Sequence, residues 1–531
     1  MPVRALLRSG LLLQFALQLA ACGGTAVAPA GADAAAADTG SMRVDASPGL
    51  DAGTDANDSA AIRPDAEVDA GPGEDSAAPT LPDGAVLPQG TQVLASNVIS
   101  LNGVTSDGYA IYTDTTASEL YAVALAGGTP VSLGHLGPNA SVAVAGPVAF
   151  YWNIVGKYSG VGPLSIWTSA HGVQSLATRS YPAPVVSVSG TRVIFLDNVV
   201  FTGSYPGDVY VANTDGSGKT KIVAGAQLDA EFNFAFAGET ALVSAVTAAD
   251  AGAGVTLQAF SPPAWAPVTL GTGLPGTFVT NNAGTAVLAQ TAAGLDVFSL
   301  DGTAPVLIDP AGVAGLFTSD GTAVVYTSSA NALLRSSVAA GPPTTLVPTG
   351  FPSLAGLSPD NAWALGTVAT AGFAGPGQGS DLYVASATAA GTAQTLSMTA
   401  NVGPYSTANP LFTADASHLV FASDTTLTGL STLHVSLPGG ADASTYSNVW
   451  SFEPTVGSKL VFNDDYDPSG GVGSNGTADI ELLDTSKTAP KTVLVSQADA
   501  NFFVTADHAT LVYSWSYLPT KSGGIWTLPI P

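Results

Sequence analysis

The sequence predicts an all-β fold made of repeated four-stranded units, and three observations carry that prediction. Composition comes first: of 531 residues, 60 are Gly and 36 Pro, while charged residues make up 10%. β-Branched and small residues punctuated by Gly and Pro suit short strands and turns, and no long 3.6-residue apolar period with a charged outer face is present. The second observation is the stretch Asp208–Val223, DVYVANTDGSGKTKIV. Val209 and Val211 alternate with Tyr210 and Ala212, Asp215-Gly216 forms a tight turn, and a second strand ends at Ile222-Val223. Asp-Gly between alternating runs is a hairpin signal, because the turn needs positive φ that Gly adopts at little cost. The third is recurrence. From about Gln89 the pattern returns every 37–55 residues or so.

Each unit opens with a small-residue strand leading into an Asp/Asn/Gly turn. An apolar strand follows, then a variable loop, a strand like LYxVxL, a Gly turn and a closing strand. Thr105-Ser106-Asp107-Gly108 leads to Ala110-Ile111-Tyr112, then to Leu120-Tyr121-Ala122-Val123, Gly127-Gly128 and Val131-Ser132-Leu133. Thr318-Ser319-Asp320-Gly321 leads to Val324-Val325-Tyr326 and on to Thr345-Leu346-Val347. Further openings lie near Gly146, Gly190, Gly238, Gly284, Asp360, Asp415, Gly457 and Asp507, giving ten in all. Four short strands at this period are the sequence form of a β-propeller blade. The expectation is about ten repeats, as one large ring or two propellers. The last unit ends at Ile525-Trp526-Thr527-Leu528 without a fourth strand. Thr91-Gln92-Val93-Leu94-Ala95 has the form of that missing strand, and would close the ring by removing an exposed edge.

The segments DVYVANTDGSGKTKIV, ELYAVALAGGTPVSL and LDVFSLDGTAPVLI resemble the outer strands of TolB-type, WD-repeat-like propellers of bacterial envelopes. The resemblance spans the chain after residue 89 at repeat level and implies a fold rather than an activity. Ten units depart from the six blades of that family, so its role in an envelope complex does not transfer.

The chain's start reads as an address. Residues 1–21 form a signal peptide, with Arg4 and Arg8 preceding an apolar core from Leu11 to Ala21 that is too short and polar to span a membrane. Leu19-Ala20-Ala21-Cys22 resembles the lipobox of bacterial lipoproteins. That resemblance implies cleavage before Cys22, a thioether-linked diacylglycerol on its sulfur and an acyl chain such as palmitate on its new amino group. Cys22 is the sole cysteine, so it has no intramolecular disulfide partner. Gly23 stands where inner-membrane lipoproteins carry Asp, which makes the outer membrane the expected location, periplasmic or surface-exposed. Residues 22–88 carry the lipidated Cys followed by an Ala/Asp/Gly/Pro-rich tether. Between residues 23 and 88 lie 12 acidic residues, Arg43 and Arg63, and no aromatic. Such a segment cannot bury enough apolar surface to offset ordering and is expected to be disordered. Residues 89–531 form the repeat domain.

Charge and motifs narrow the chemistry. With 14 Lys+Arg against 40 Asp+Glu and a net charge of −26, the chain lacks the basic surface that nucleic acid requires. Gly218-Lys219-Thr220 imitates a phosphate loop, but Asn213 stands at its first Gly and a strand follows where a helix is needed. His135, His171, His418, His434 and His508 form no HExxH spacing. His418 and His508 read as equivalent places in their repeats, just before the second strand. No Gly-x-Ser-x-Gly elbow occurs.

Two site expectations remain. Asp465, Asp467 and Ser469, with Gly470 at the turn, resemble the start of a calcium loop. Gly476 replaces its closing Glu, and Asp479 is a substitute ligand; the bland alternative is a solvated acidic loop. Loops between second and third strands should share one face of a propeller. They carry Trp152, Tyr158, Tyr205, Phe373, Tyr466, Trp515 and Tyr517, side chains suited to recognising a protein or glycan. The leading functional expectation is a membrane-anchored, extracytoplasmic binding or scaffold module. The rival is a propeller hydrolase or lyase acting on polysaccharide, which requires carboxylates converging across blades.

Overall fold

A computed structural model describes residues 88–531, apart from 97–98, 154–160, 182–183, 201–205, 228–231, 248–254, 273–277, 340, 369–379, 401–409, 425–429, 440–441, 468–476, 488–490, 500 and 518–521. The residues read from the sequence as signal peptide, lipidated Cys22 and tether lie outside these residues. The described chain is all strand and turn, with no helix. Its strands form six four-stranded antiparallel sheets and two eight-stranded ones. Each eight-stranded sheet is two units bridged at one end, through Ala226↔Thr247 and Gln227↔Val246 in one and through Ala400↔Ser423 in the other. The result is ten blades, spanning residues 99–135, 140–180, 185–227, 233–272, 278–309, 312–347, 353–400, 411–449, 452–499 and 502–529.

The tenth blade supplies three strands of its own. Its fourth is Thr91–Ala95, paired antiparallel with Ser522–Pro529 through Thr91↔Thr527, Gln92↔Trp526, Leu94↔Ile525 and Ala95↔Gly524. This is the closing strand the sequence predicts. Val93 is buried there as Leu133 is in the fourth strand of the first blade, and the two strands share one burial pattern. The Tyr513 hydroxyl donates to the Gln89 carbonyl, and Ser96 N to Gly523 O at 3.0 Å.

A strand that is apolar on both faces needs cover on both, and stacking blades side by side provides it. One apolar cluster fills each gap between successive blades. Ile111, Leu120, Leu133, Ala149 and Trp167 join the first blade to the second. Val93, Ile99, Leu101, Val512 and Ile525 join the tenth back to the first. Ten clusters for ten blades, with the last meeting the first, make one closed ring and decide against two propellers. First strands of neighbouring blades touch one another, as do Ile99–Val104 with Ala140–Ala145 and Gly312–Phe317 with Ser353–Leu357, so first strands lie innermost. Gly103 permits one such approach, since a Cβ there would stand 2.7 Å from Val144 Cγ2.

The turn from first to second strand sets the repeat. In every blade it contains one residue with left-handed backbone: Gly108, Gly146, Gly190, Gly238, Gly284, Gly321, Asn361, Ala416, Gly457 and His508. Four turns share a further device, in which Thr318, Ser358, Thr413 and Thr505 donate their hydroxyls to Asp320, Asp360, Asp415 and Asp507 at 2.5–2.7 Å. Because Thr413 matches Thr505, Ala416 matches His508. His418 therefore lies two places further on, which corrects the equivalence expected for the two histidines. Outer strands present exposed edges, and each pairs with its third strand through a β-bulge or register shift. Bulges twist an edge away from pairing with another chain. The Asp208–Val223 hairpin forms as strands Pro206–Asn213 and Thr220–Gln227. Its turn is longer than two residues, with Gly216 and Gly218 both left-handed.

Candidate functional site

The innermost strands line the axis, and their sequences are small and apolar: ISLNGV, ASVAVA, VV, NFAFA, FVT, GVAGLF, SLAGL, LF, FEP and FFV. Among these strands Glu453 is the one ionisable residue. Its Oε2 accepts a hydrogen bond from Val504 N at 3.2 Å, tying the ninth blade to the tenth.

Polar groups gather instead where second strands end and third strands begin. Asn153 accepts from Gly137 N at 2.8 Å and donates to His135 O at 3.1 Å, joining the second blade to the first. Asp197 accepts from the amides of Thr178, Arg179 and Asn198 and pairs with Lys219 Nζ at 2.8 Å. Burial alone would raise its carboxyl; Lys219 and the amides of Asn198 and Arg179 outweigh that and hold it below the usual range. Lys219 also donates to Leu176 O at 2.7 Å and lies over the Tyr210 ring at 4.6 Å.

In the eighth blade, Ser423 Oγ lies 2.8 Å from His434 Nε2 and 2.9 Å from Asp424 Oδ2, while His434 stacks on Phe421 at 4.7 Å. The hydroxyl stands between acid and imidazole. A nucleophilic serine needs the imidazole between acid and hydroxyl, so this trio has the order of a structural network.

The ninth blade holds the densest group of charges. Phe462-x-Asp464 on its second strand, Asp479-x-Glu481 on its third and Lys491 on its fourth share one face, set by the register Phe462↔Glu481, Asp464↔Asp479 and Leu483↔Lys491. Lys491 Nζ contacts Asp464 Oδ2 directly and lies 2.8 Å from Glu481 Oε2, an ion pair that leaves Oε2 without a well-aligned hydrogen bond. Tyr446 of the eighth blade and Phe462 lie 5.9 and 6.0 Å from the amine. Burial pushes the Glu481 carboxyl up; Lys491 opposes the shift and the charges of Asp464 and Asp479 add to it. Burial disfavours the Lys491 ammonium, but Asp464 and Glu481 outweigh that and raise it above the ordinary lysine value. The sequence reading missed this group, because Lys491 joins it through register across three strands rather than through a local motif.

Of the expected cation ligands, Asp465 and Asp467 close the second strand of the same sheet and Asp479 lies on its third. Asp465 has left-handed backbone, φ 51°, at an irregularity in the second strand, and both it and Asp467 are exposed. Asp479 accepts from Gln497 N at 2.8 Å. Ser469 lies outside the described residues. Among the described residues no three His, Cys, Asp or Glu side chains converge on a metal position.

Of the aromatic residues assigned to a loop face, Tyr158, Tyr205 and Phe373 lie outside the described residues, as do the side chains of Tyr466 and Tyr517. Trp152 and Trp515 are corrected: each is 6% exposed. Trp152 packs with Leu164, Phe195 and Tyr210 between the second and third blades, and Trp515 with Val495, Ala498 and Phe502 between the ninth and tenth. Both lie within second strands, Trp152 followed by Asn153 and Trp515 by Ser516 and Tyr517 before the strand ends.

No family model matches the chain, and no curated protein matches it. Solved structures of low similarity do. They include the β-propeller domain of the Trilobed protease from Pyrococcus furiosus, at 9% identity over 67% of this chain and 98% of that one, TM-score 0.33. A eukaryotic initiation factor matches at 13% identity over 67% of this chain and 88% of that one, TM-score 0.43. Oligogalacturonate lyase in complex with manganese matches at 12% identity over 66% of this chain and 96% of that one, TM-score 0.33.

Proposed function

We propose that this chain is an outer-membrane lipoprotein whose ten-bladed propeller is a binding or scaffold module for an extracytoplasmic protein or glycan. The observation that carries the reading is the axial lining: ten inner strands with one ionisable residue, Glu453, which serves to hold two blades together. Acid–base chemistry on a polysaccharide needs convergent titratable groups at the reacting atoms, and the inner strands favour contact with a partner instead. The lipobox-like Leu19-Ala20-Ala21-Cys22 supports anchoring, since several acyl chains together hold a protein stably at a bilayer. The tether of acidic and small residues would space the ring from an anionic surface. The TolB-type resemblance of the strand sequences fits an envelope setting.

Two experiments test the reading. Metabolic labelling with palmitate should mark the chain and fail for Cys22→Ser; an unlabelled wild-type chain would remove the anchor. Capture from intact envelopes with residues 89–531 should recover a defined protein or glycan. Turnover of an oligosaccharide by that domain would replace binding with catalysis.

A further inference from the structure

We propose that Lys491 and Asp464 condense into an intramolecular isopeptide bond, with Glu481 carrying the proton. The three side chains hold the geometry this needs. Lys491 Nζ touches Asp464 Oδ2, one bond from the carbon to be attacked, and Glu481 Oε2 lies 2.8 Å from the same nitrogen. The Asp464 and Glu481 side chains are 9% and 3% exposed. The amine is flanked by the Tyr446 and Phe462 rings. Held reactants of this kind convert a bimolecular reaction into a unimolecular one. The Lys491 side chain is 37% exposed and its two carboxylate partners favour the ammonium, so proton transfer to Asp464 is the uphill part of the step.

The step balances without an outside reagent. The ammonium passes one proton to Asp464 Oδ2, leaving a neutral amine and a neutral acid. The nitrogen lone pair attacks Asp464 Cγ; Glu481 takes a proton from the nitrogen and returns one to the departing hydroxyl. One C–N bond forms, one C–O bond breaks, and one water leaves. Glu481 ends in its starting state, and nothing is oxidised or reduced.

The third blade provides an internal comparison. Lys219 and Asp197 occupy the matching register, since Phe195↔Tyr210 and Asp197↔Asp208 correspond to Phe462↔Glu481 and Asp464↔Asp479. Tyr210 stands where Glu481 stands, so the proton carrier is missing. Three backbone amides hold Asp197, against the single Asp465 amide on Asp464. That site is built as an ion pair and should remain one. The bond in the ninth blade would join its second and fourth strands across the third, stapling a chain whose single cysteine permits no internal disulfide.

Tryptic mapping of the full chain tests this. Lys491 in amide linkage resists trypsin, so fragments 460–487 and 488–521 should appear as one branched peptide, lighter than their sum by one water, about 18 Da. Cleavage after Lys219 should be complete. Asp464→Asn should give the same branched peptide with loss of ammonia from the side-chain amide, and Lys491→Arg should give none. Glu481→Gln should slow linkage about a hundredfold. Quantitative cleavage after Lys491 in the wild-type chain overturns the proposal. Full linkage in a folded Glu481→Gln variant removes Glu481 from it.

Discussion

Val93→Ala tests whether the strand before the first blade closes the ring. The Val93 side chain is 8% exposed and packs with Ile99, Leu101, Val512 and Ile525 between the tenth and first blades. Removing two buried carbon groups, with a small cavity left behind, costs about 2 kcal/mol. In other blades the fourth strand is tied to the third by a short turn. Thr91–Ala95 has no such tie to Ser522–Pro529, so the loss should appear as local opening of that pair. At about 1.4 kcal/mol per decade, the opening equilibrium should rise roughly thirtyfold. Hydrogen exchange reads this directly: amides of Ser522–Pro529 should lose protection selectively. Leu133→Ala is the control, because Leu133 holds the equivalent place in a strand whose partner precedes it in the chain. It should cost about 2–5 kcal/mol globally and leave Ser522–Pro529 no worse than other third strands. Equal behaviour of the two variants would refute the argument.

Three further outcomes follow from single sites. Asp197→Asn should destabilise the domain at pH 7 by about 1–3 kcal/mol in denaturant unfolding. Asp197 is held below its unfolded value, so its contribution is full above about pH 4 and fades as pH falls through the folded value; the gap from wild type should narrow at pH 3. Gly238→Ala and Gly284→Ala should differ although both positions are left-handed. A Cβ at Gly238 meets nothing within 4 Å, whereas one at Gly284 stands 2.4 Å from Gly238 N. Thermal melts should show about 1–2 kcal/mol for the first and about 3 kcal/mol or more for the second. Calcium should leave the melting temperature unchanged, since Asp479 is engaged with the Gln497 amide; a rise abolished by Asp465→Asn would assign the cation to that turn.

Much of the architecture is legible in the chain because one physical demand repeats. A tight turn with a left-handed residue admits Gly or Asn easily, so Gly108, Gly146 and Gly321 mark blades by eye. Ala416 and His508 break that rule, so the sequence equivalence of His418 with His508 fails and Ala416 takes that place. The closing strand is readable because its blade otherwise lacks a partner. Side-chain destinations are less readable. Trp152 and Trp515 lie inside second strands, Val148–Asn153 and Thr510–Tyr517, and so pack in the gaps between blades rather than on a loop face. Lys491 meets Asp464 and Glu481 through a register that contains irregularities on the fourth strand, which no local spacing reveals.

The most direct test of the ring is its image. Electron microscopy of the purified chain, averaged down the propeller axis, should show ten radial sheets in one closed circle. Two smaller rings, a count other than ten, or a gap between the last blade and the first would contradict the account.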